Sequence, residues 1–236
     1  RAARSEDYYT CSGMGVEEWQ PAFTFHGFRY VELSGFPANV KPSLDWIRGV
    51  VLHTEMPFIG SFVCSSQKIN QLQSCIQWGQ RGNFLSVPTD CPQRDERLGW
   101  TGDAQVFAPT AAFNMDVSAF FSKWMQDVRD AQLSNGLVPI LAPKMWANSE
   151  SPAWSDAVAV IPWEMYLAYG DEKILRDNYE AMKKWVEYQK STSKELIRPA
   201  LGFGDWLQPN SKNGRAGDTP KDLIGTAYFI RSADIV

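Results

Sequence analysis

Two periods of hydrophobicity divide the chain. Up to about residue 60, aromatic and β-branched positions alternate with polar ones, across Ala22–Leu33 and again across Trp46–His53, with the loop Gly35–Asn39 between them. A period of two predicts strands, and Gly27 interrupts the first run as a bulge or bend would. Two or three strands make no stable sheet alone, so this segment reads as the trailing edge of a β domain. From about residue 65 the period becomes helical. Ser65 is placed to cap a helix carrying Ile69, Leu72 and Ile76 and stopping near Gly82, and a second helix follows Asp103 through Phe107 and Ala111. Asp116 caps a third, with Val117, Phe120, Phe121, Trp124 and Val128 on one face and Asn135-Gly136 at its end. Ser155–Tyr169 and Glu172 to about Gln189 form a helical hairpin across Gly170-Asp171, with Pro162 expected to kink or divide the first arm. Thr219-Pro220-Lys221-Asp222 starts a sixth helix, with Thr219 as its cap, and that helix has no end signal before Val236. No repeat of 20 to 50 residues is detectable, so a bundle or toroid fits better than a solenoid.

Composition narrows the chemistry. The 236 residues are 44% hydrophobic and 21% charged, an ordinary globular balance. A net charge of −4, without a basic stripe, excludes the usual nucleic-acid footprint. No stretch approaches 18 consecutive apolar residues, so no membrane span is predicted. With only His26 and His53, a histidine metal cage is excluded, and carboxylates must carry any acid–base work. Cys11, Cys64, Cys75 and Cys91 contain no C-x-x-C pair and read as free thiols.

The polar residues are densest from Pro88 to Asp103, where four of the chain's 27 acids fall within 14 residues, alongside two prolines and two glycines that forbid one regular helix. This is a loop, and clustered carboxylates beside Trp100 raise one another's pKa, so one could stay protonated as a general acid. The competing reading is a solvated acidic turn in which Arg94 and Arg97 pair with Asp95 and Glu96. A calcium loop lacks its D-x-[DN]-x-[DN]-G spacing. Favouring a site, three of the ten tryptophans, Trp100, Trp154 and Trp206, lie between predicted helices and near acids. An indole face suits the apolar face of a sugar whose hydroxyls meet acids and amides. Trp78, Trp124 and Trp185 sit at helical spacing and are assigned to the core.

The run Pro88–Gln105, PTDCPQRDERLGWTGDAQ, resembles the hallmark segment of the bacterial α-L-rhamnosidases, glycoside hydrolase family 78. Trp19-Gln20-Pro21 with Phe23–Tyr30 resembles the end of the β-sandwich that precedes that family's catalytic domain, and Pro152–Ala157 and Gly204–Leu207 resemble its pocket loops. The resemblance implies residues 1–60 as C-terminal strands of a β-sandwich domain and linker, and 61–236 as the N-terminal half of an (α/α)6 catalytic toroid, mainly α. It implies hydrolysis of terminal α-L-rhamnosyl groups with inversion, Glu96 being the general acid. Asp90 and Asp103 would bind sugar hydroxyls, Arg94 would help hold the sugar, and Trp100, Trp154 and Trp206 would line the pocket. The family's general base is a late glutamate with no counterpart before Val236, so the polypeptide is expected to be a fragment that does not turn over alone. Rhamnose-containing glycosides or polysaccharides are the expected partners. No cofactor, metal, nucleic acid or membrane is expected, and the setting is a bacterium's cytoplasm, periplasm or exterior. A toroid glycosidase of other sugar specificity, or a non-catalytic carbohydrate-binding protein on the same scaffold, remain as alternatives.

Overall fold

Ala157–Tyr169 is apolar on nearly every side, and a helix of that kind must be surrounded by protein. In the computed structural model, which describes residues 4–145 and 149–236, its first half and Met165 are buried, while Leu167 near its end is exposed. The first three residues of the predicted N-terminal segment lie outside the described residues.

Among the described residues six α-helices follow in chain order: α1 Gln67–Asn83, α2 Thr101–Asn114, α3 Ser118–Ala131, α4 Ala157–Tyr169, α5 Glu172–Ser191 and α6 Lys221–Ile235. A two-residue hairpin, β1 Phe84–Leu85 against β2 Val87–Pro88, joins α1 to the acidic loop. Helix α4 is central, packing on α2, α3, α5 and α6. Fully buried Ala108 and Ala111 of α2 let the backbones approach, and Phe121, Trp124 and Val128 of α3 complete the core with Ile161 and Trp185. Each large side chain removed from water contributes about 1.5–3 kcal/mol. The predicted face of α3 is therefore the buried one. Asp171 caps α5 by accepting from the Lys173 and Ile174 amides, and Gly170 takes the left-handed conformation that closes α4.

Several expectations are corrected. Ser65 does not cap α1. Asn70 instead folds back, accepting from the Cys64 amide and donating to its carbonyl, both at 2.9 Å. Pro162 does not divide α4, which runs unbroken past it. Thr219 does not cap α6, because Pro220 is still extended and the helix starts at Lys221. Trp78 is half exposed beneath the Arg81 guanidinium, and Ile69 and Leu72 are open too, since nothing among the described residues packs on that side of α1. Ala22–Leu33 and Trp46–His53 carry no strand ladder, for an alternating segment needs neighbours to pair with and the described residues supply none. One turn of 3-10 helix, Leu44–Trp46, is the regular element there. Arg97 ties this segment to the acidic loop by donating to the Phe25 carbonyl at 2.8 Å.

Candidate active site

The acidic loop is held at both ends by backbone pairing. At its start the Thr89 amide donates to the Asn83 carbonyl at 2.8 Å. The Asp90 amide then donates to the Leu98 carbonyl, and the Leu98 amide returns a bond to Asp90 Oδ1, each at 3.2 Å. At its end the Thr101 amide donates to Ile140 and the Ala142 amide to Gly99. Between the anchors Cys91 and Arg97 hold positive φ, +40° and +52°, a conformation that side chains resist and that clusters at functional sites.

This pinning turns the acids toward one cavity of about 950 Å³ between α1, α2, α6 and the loops. Asp90, Asp103, Trp154 and Trp206 line it, as do Cys91 and Asp205. Glu96, Arg94 and Trp100 do not line it but adjoin residues that do. The reactive atoms of Asp90, Cys91 and Glu96 all lie within 4.8 Å of one another. Arg94 reaches Glu96 at 2.8 Å, so the pairing foreseen for a solvated turn exists for that arginine, while Arg97 goes to Phe25. Three converging donors of this kind could hold a cation, but the Arg94 guanidinium already places a fixed positive charge on Glu96.

The electrostatics follow from burial and like charge. Desolvation raises the Asp90 carboxyl above the ordinary aspartate range, and the facing Glu96 carboxyl adds to it. Asp103 opens to the cavity on the first turn of α2, yet the protein around it desolvates its carboxyl and raises it too, with Glu96 again contributing. Burial pushes the Cys91 thiol up. Asp90 and Asp103 therefore keep their protons beyond the pH at which a solvated carboxylate has lost its own.

The indoles come from three separate loops. Trp154 lies across the start of α2, where Gly102 leaves room: a Cβ there would stand 2.6 Å from the indole. The Trp100 ring faces the same quarter, and its Nε1 finds no acceptor among the described residues. Asp156 anchors the Trp154 turn from beneath. Its buried carboxylate accepts from Trp185 Nε1, Gln189 Nε2, the Ser232 hydroxyl and the Ala153 amide, at 2.7–3.0 Å. Cys91 and Asp156 have roles that the sequence did not mark. Asp156 alone offered a signal, as an acid directly before an all-apolar helix.

Paired helices whose loops close around acids and indoles form the six-hairpin class of helical domain. The chain belongs to the bacterial alpha-L-rhamnosidase family: residues 57–236 match its 6 hairpin glycosidase domain, and residues 1–53 match its concanavalin-like domain. An alpha-L-rhamnosidase of Formosa agariphila is 53% identical over the whole chain, and one of Streptomyces avermitilis 50%. The chain spans 26% and 22% of those relatives' lengths. Among solved structures, the Streptomyces avermitilis alpha-L-rhamnosidase complexed with L-rhamnose superposes with a TM-score of 0.88 at 50% identity, over 96% of this chain and 21% of that one. The Aspergillus terreus enzyme superposes at 0.82 with 40% identity, over 95% and 27%.

Proposed function

We propose that this chain carries the acid-bearing part of a glycoside hydrolase that releases terminal, non-reducing α-L-rhamnose with inversion. The observation that carries the reading is the convergence of Asp90, Glu96 and Asp103 beside one indole-lined cavity, in a family whose curated relatives carry that name. In this reading Glu96 protonates the departing glycosidic oxygen. Asp90 and Asp103 accept hydrogen bonds from sugar hydroxyls, while Trp154 and Trp206 cover the apolar face of the ring. Arg94 holds the Glu96 carboxyl in place through their ion pair and completes the charge balance. Inversion requires a second carboxylate about 6.5–9.5 Å away to activate water, and no residue of this chain is assigned that role.

The test uses the full-length gene product with aryl glycosides of several sugars and an alkyl rhamnoside, whose poor leaving group needs the proton. The α-L-rhamnoside should be cleaved, with β-L-rhamnose as the first product seen by NMR. Glu96→Gln should lower kcat on the alkyl rhamnoside by about 10²–10⁴-fold, and Asp95→Asn by less than tenfold. Preference for another sugar would point to a different glycosidase on this toroid. Loss of less than about tenfold in Glu96→Gln would remove the acid assignment, and absence of any turnover would favour a binding protein.

A further inference from the structure

Phe203 belongs to none of the groups assigned above, yet all three loop indoles meet on it. Its ring centroid lies 4.9 Å from Trp154, 5.4 Å from Trp206 and 6.1 Å from Trp100. The interplanar angles are 64°, 56° and 62°, the inclined and edge-to-face range that aromatic quadrupoles favour. The backbone fixes where this ring stands. The Phe203 amide donates to the buried Ser151 hydroxyl at 3.0 Å, and Lys221 Nζ donates to the Gly202 carbonyl at 2.6 Å. Flanking Gly202 and Gly204 take φ of +80° and +72°, which a side-chain-bearing residue would resist.

Trp100 follows the acidic loop, Trp154 precedes α4 and Trp206 lies between α5 and α6, so no shared element holds the three in common register. Trp206 is 42% exposed, and the Arg215 guanidinium lies 6.0 Å from its ring. Phe203 itself does not line the cavity, whereas Trp154 and Trp206 do.

We infer that Phe203 is the positioning residue that sets the indole walls of the cavity and thereby the affinity for the sugar ring. As to the sugar, this rests on the reading of the cavity as a rhamnose site. As to the indoles, it rests on the ring geometry alone. Truncating the phenyl leaves the acids in place but lets the indoles turn, so ground-state binding suffers while proton transfer does not.

The experiment compares Phe203→Ala and Phe203→Tyr with wild type in the full-length gene product. It reads acrylamide quenching of tryptophan fluorescence, L-rhamnose affinity by calorimetry, and kcat and KM on an α-L-rhamnoside. Phe203→Ala should raise quenching, weaken L-rhamnose by about tenfold and raise KM alike, with kcat within about threefold. Phe203→Tyr, which keeps the ring, should restore all three. Unchanged quenching and affinity in Phe203→Ala would overturn the inference, as would an equal loss of kcat that Phe203→Tyr fails to rescue. Increased quenching in a protein whose wild type binds no rhamnose would uphold the positioning role and sink the sugar reading instead.

Discussion

Two groups of acids, one at the start of α4 and one in the acidic loop that leads into α2, are used in opposite ways. Asp156 is fully enclosed, and its two oxygens accept four hydrogen bonds, from α5, α6 and its own turn. Glu150 beside it is paired with the buried Arg198 at 2.6 Å and accepts from the Tyr188 hydroxyl, whose own pKa is pushed up to about 12, chiefly by burial. In the acidic loop, by contrast, Asp90 accepts from one backbone amide and the Cys91 thiol and otherwise faces Glu96 and the cavity. Burial raises Asp156, Asp90 and Asp103 alike, so the shift alone does not separate scaffold from site. The count of donors does. A carboxylate whose lone pairs are all taken holds helices together, whereas one with spare lone pairs facing a cavity is available to a ligand.

The largest test of that contrast is Asp156→Ala. It strips the acceptor from four donors in a dry interior, and unsatisfied buried groups cost about 1–3 kcal/mol each, in part relieved by water or repacking. A loss of about 4 kcal/mol is expected, lowering the thermal midpoint by on the order of 10 °C. Glu96→Gln should leave that midpoint almost unmoved while removing turnover. Thermal denaturation of the two variants side by side would break the comparison if both, or neither, were destabilised.

The same contrast explains what was legible beforehand. Helical periodicity marked Phe120, Phe121, Trp124 and Val128 as a buried face, because a strongly amphipathic helix states locally which side needs cover. It marked Ile69, Leu72 and Trp78 equally well, and failed, because periodicity says which side is apolar and not what packs there. The acidic loop was legible as a loop rich in carboxylates, since proline and glycine punctuate it. The convergence of Asp90, Cys91 and Glu96 was not, for it depends on positive φ at Cys91 and on ladder bonds to Leu98. Phe203 was invisible for a related reason. Its importance lies in contacts to residues from 3 to 103 positions away, which no local pattern encodes.

A smaller effect is expected at Gly102, where scaffold and site touch. Alanine there gains up to about 1 kcal/mol of helix propensity. Its Cβ, however, would sit 2.6 Å from the Trp154 ring, and overpacking of that kind costs about 1–3 kcal/mol. Gly102→Ala should therefore be destabilised by about 1 kcal/mol and should bind sugar more weakly as the indole is pushed off α2. Denaturant titration checks the first part and calorimetric titration the second. A variant that is more stable and binds as before would mean that Trp154 yields without cost.

The smallest effect sharpens the contrast through its sign. Asp90 titrates above its ordinary value in the folded state, so between the two values the folded protein binds more protons than the unfolded chain. Stability from this group is then greatest in acid and is lost as pH rises from the ordinary aspartate value through the raised one. Asp90→Asn removes that loss while its side-chain oxygen can still accept from the Leu98 amide. Relative to wild type, the variant should gain in thermal midpoint as pH goes from about 4 to 7, even though it is poorer at binding sugar. Asp156→Asn should instead lie below wild type at every pH, although the same linkage narrows its deficit as pH rises, since burial raises Asp156 too. Its new NH₂ can face the Ala153 amide or, if flipped, the Trp185, Gln189 and Ser232 donors, and one side or the other loses its acceptor. Melting curves of both variants across that range decide the matter, and a wild type more stable than Asp90→Asn at pH 7 would place Asp90 with the scaffold acids after all.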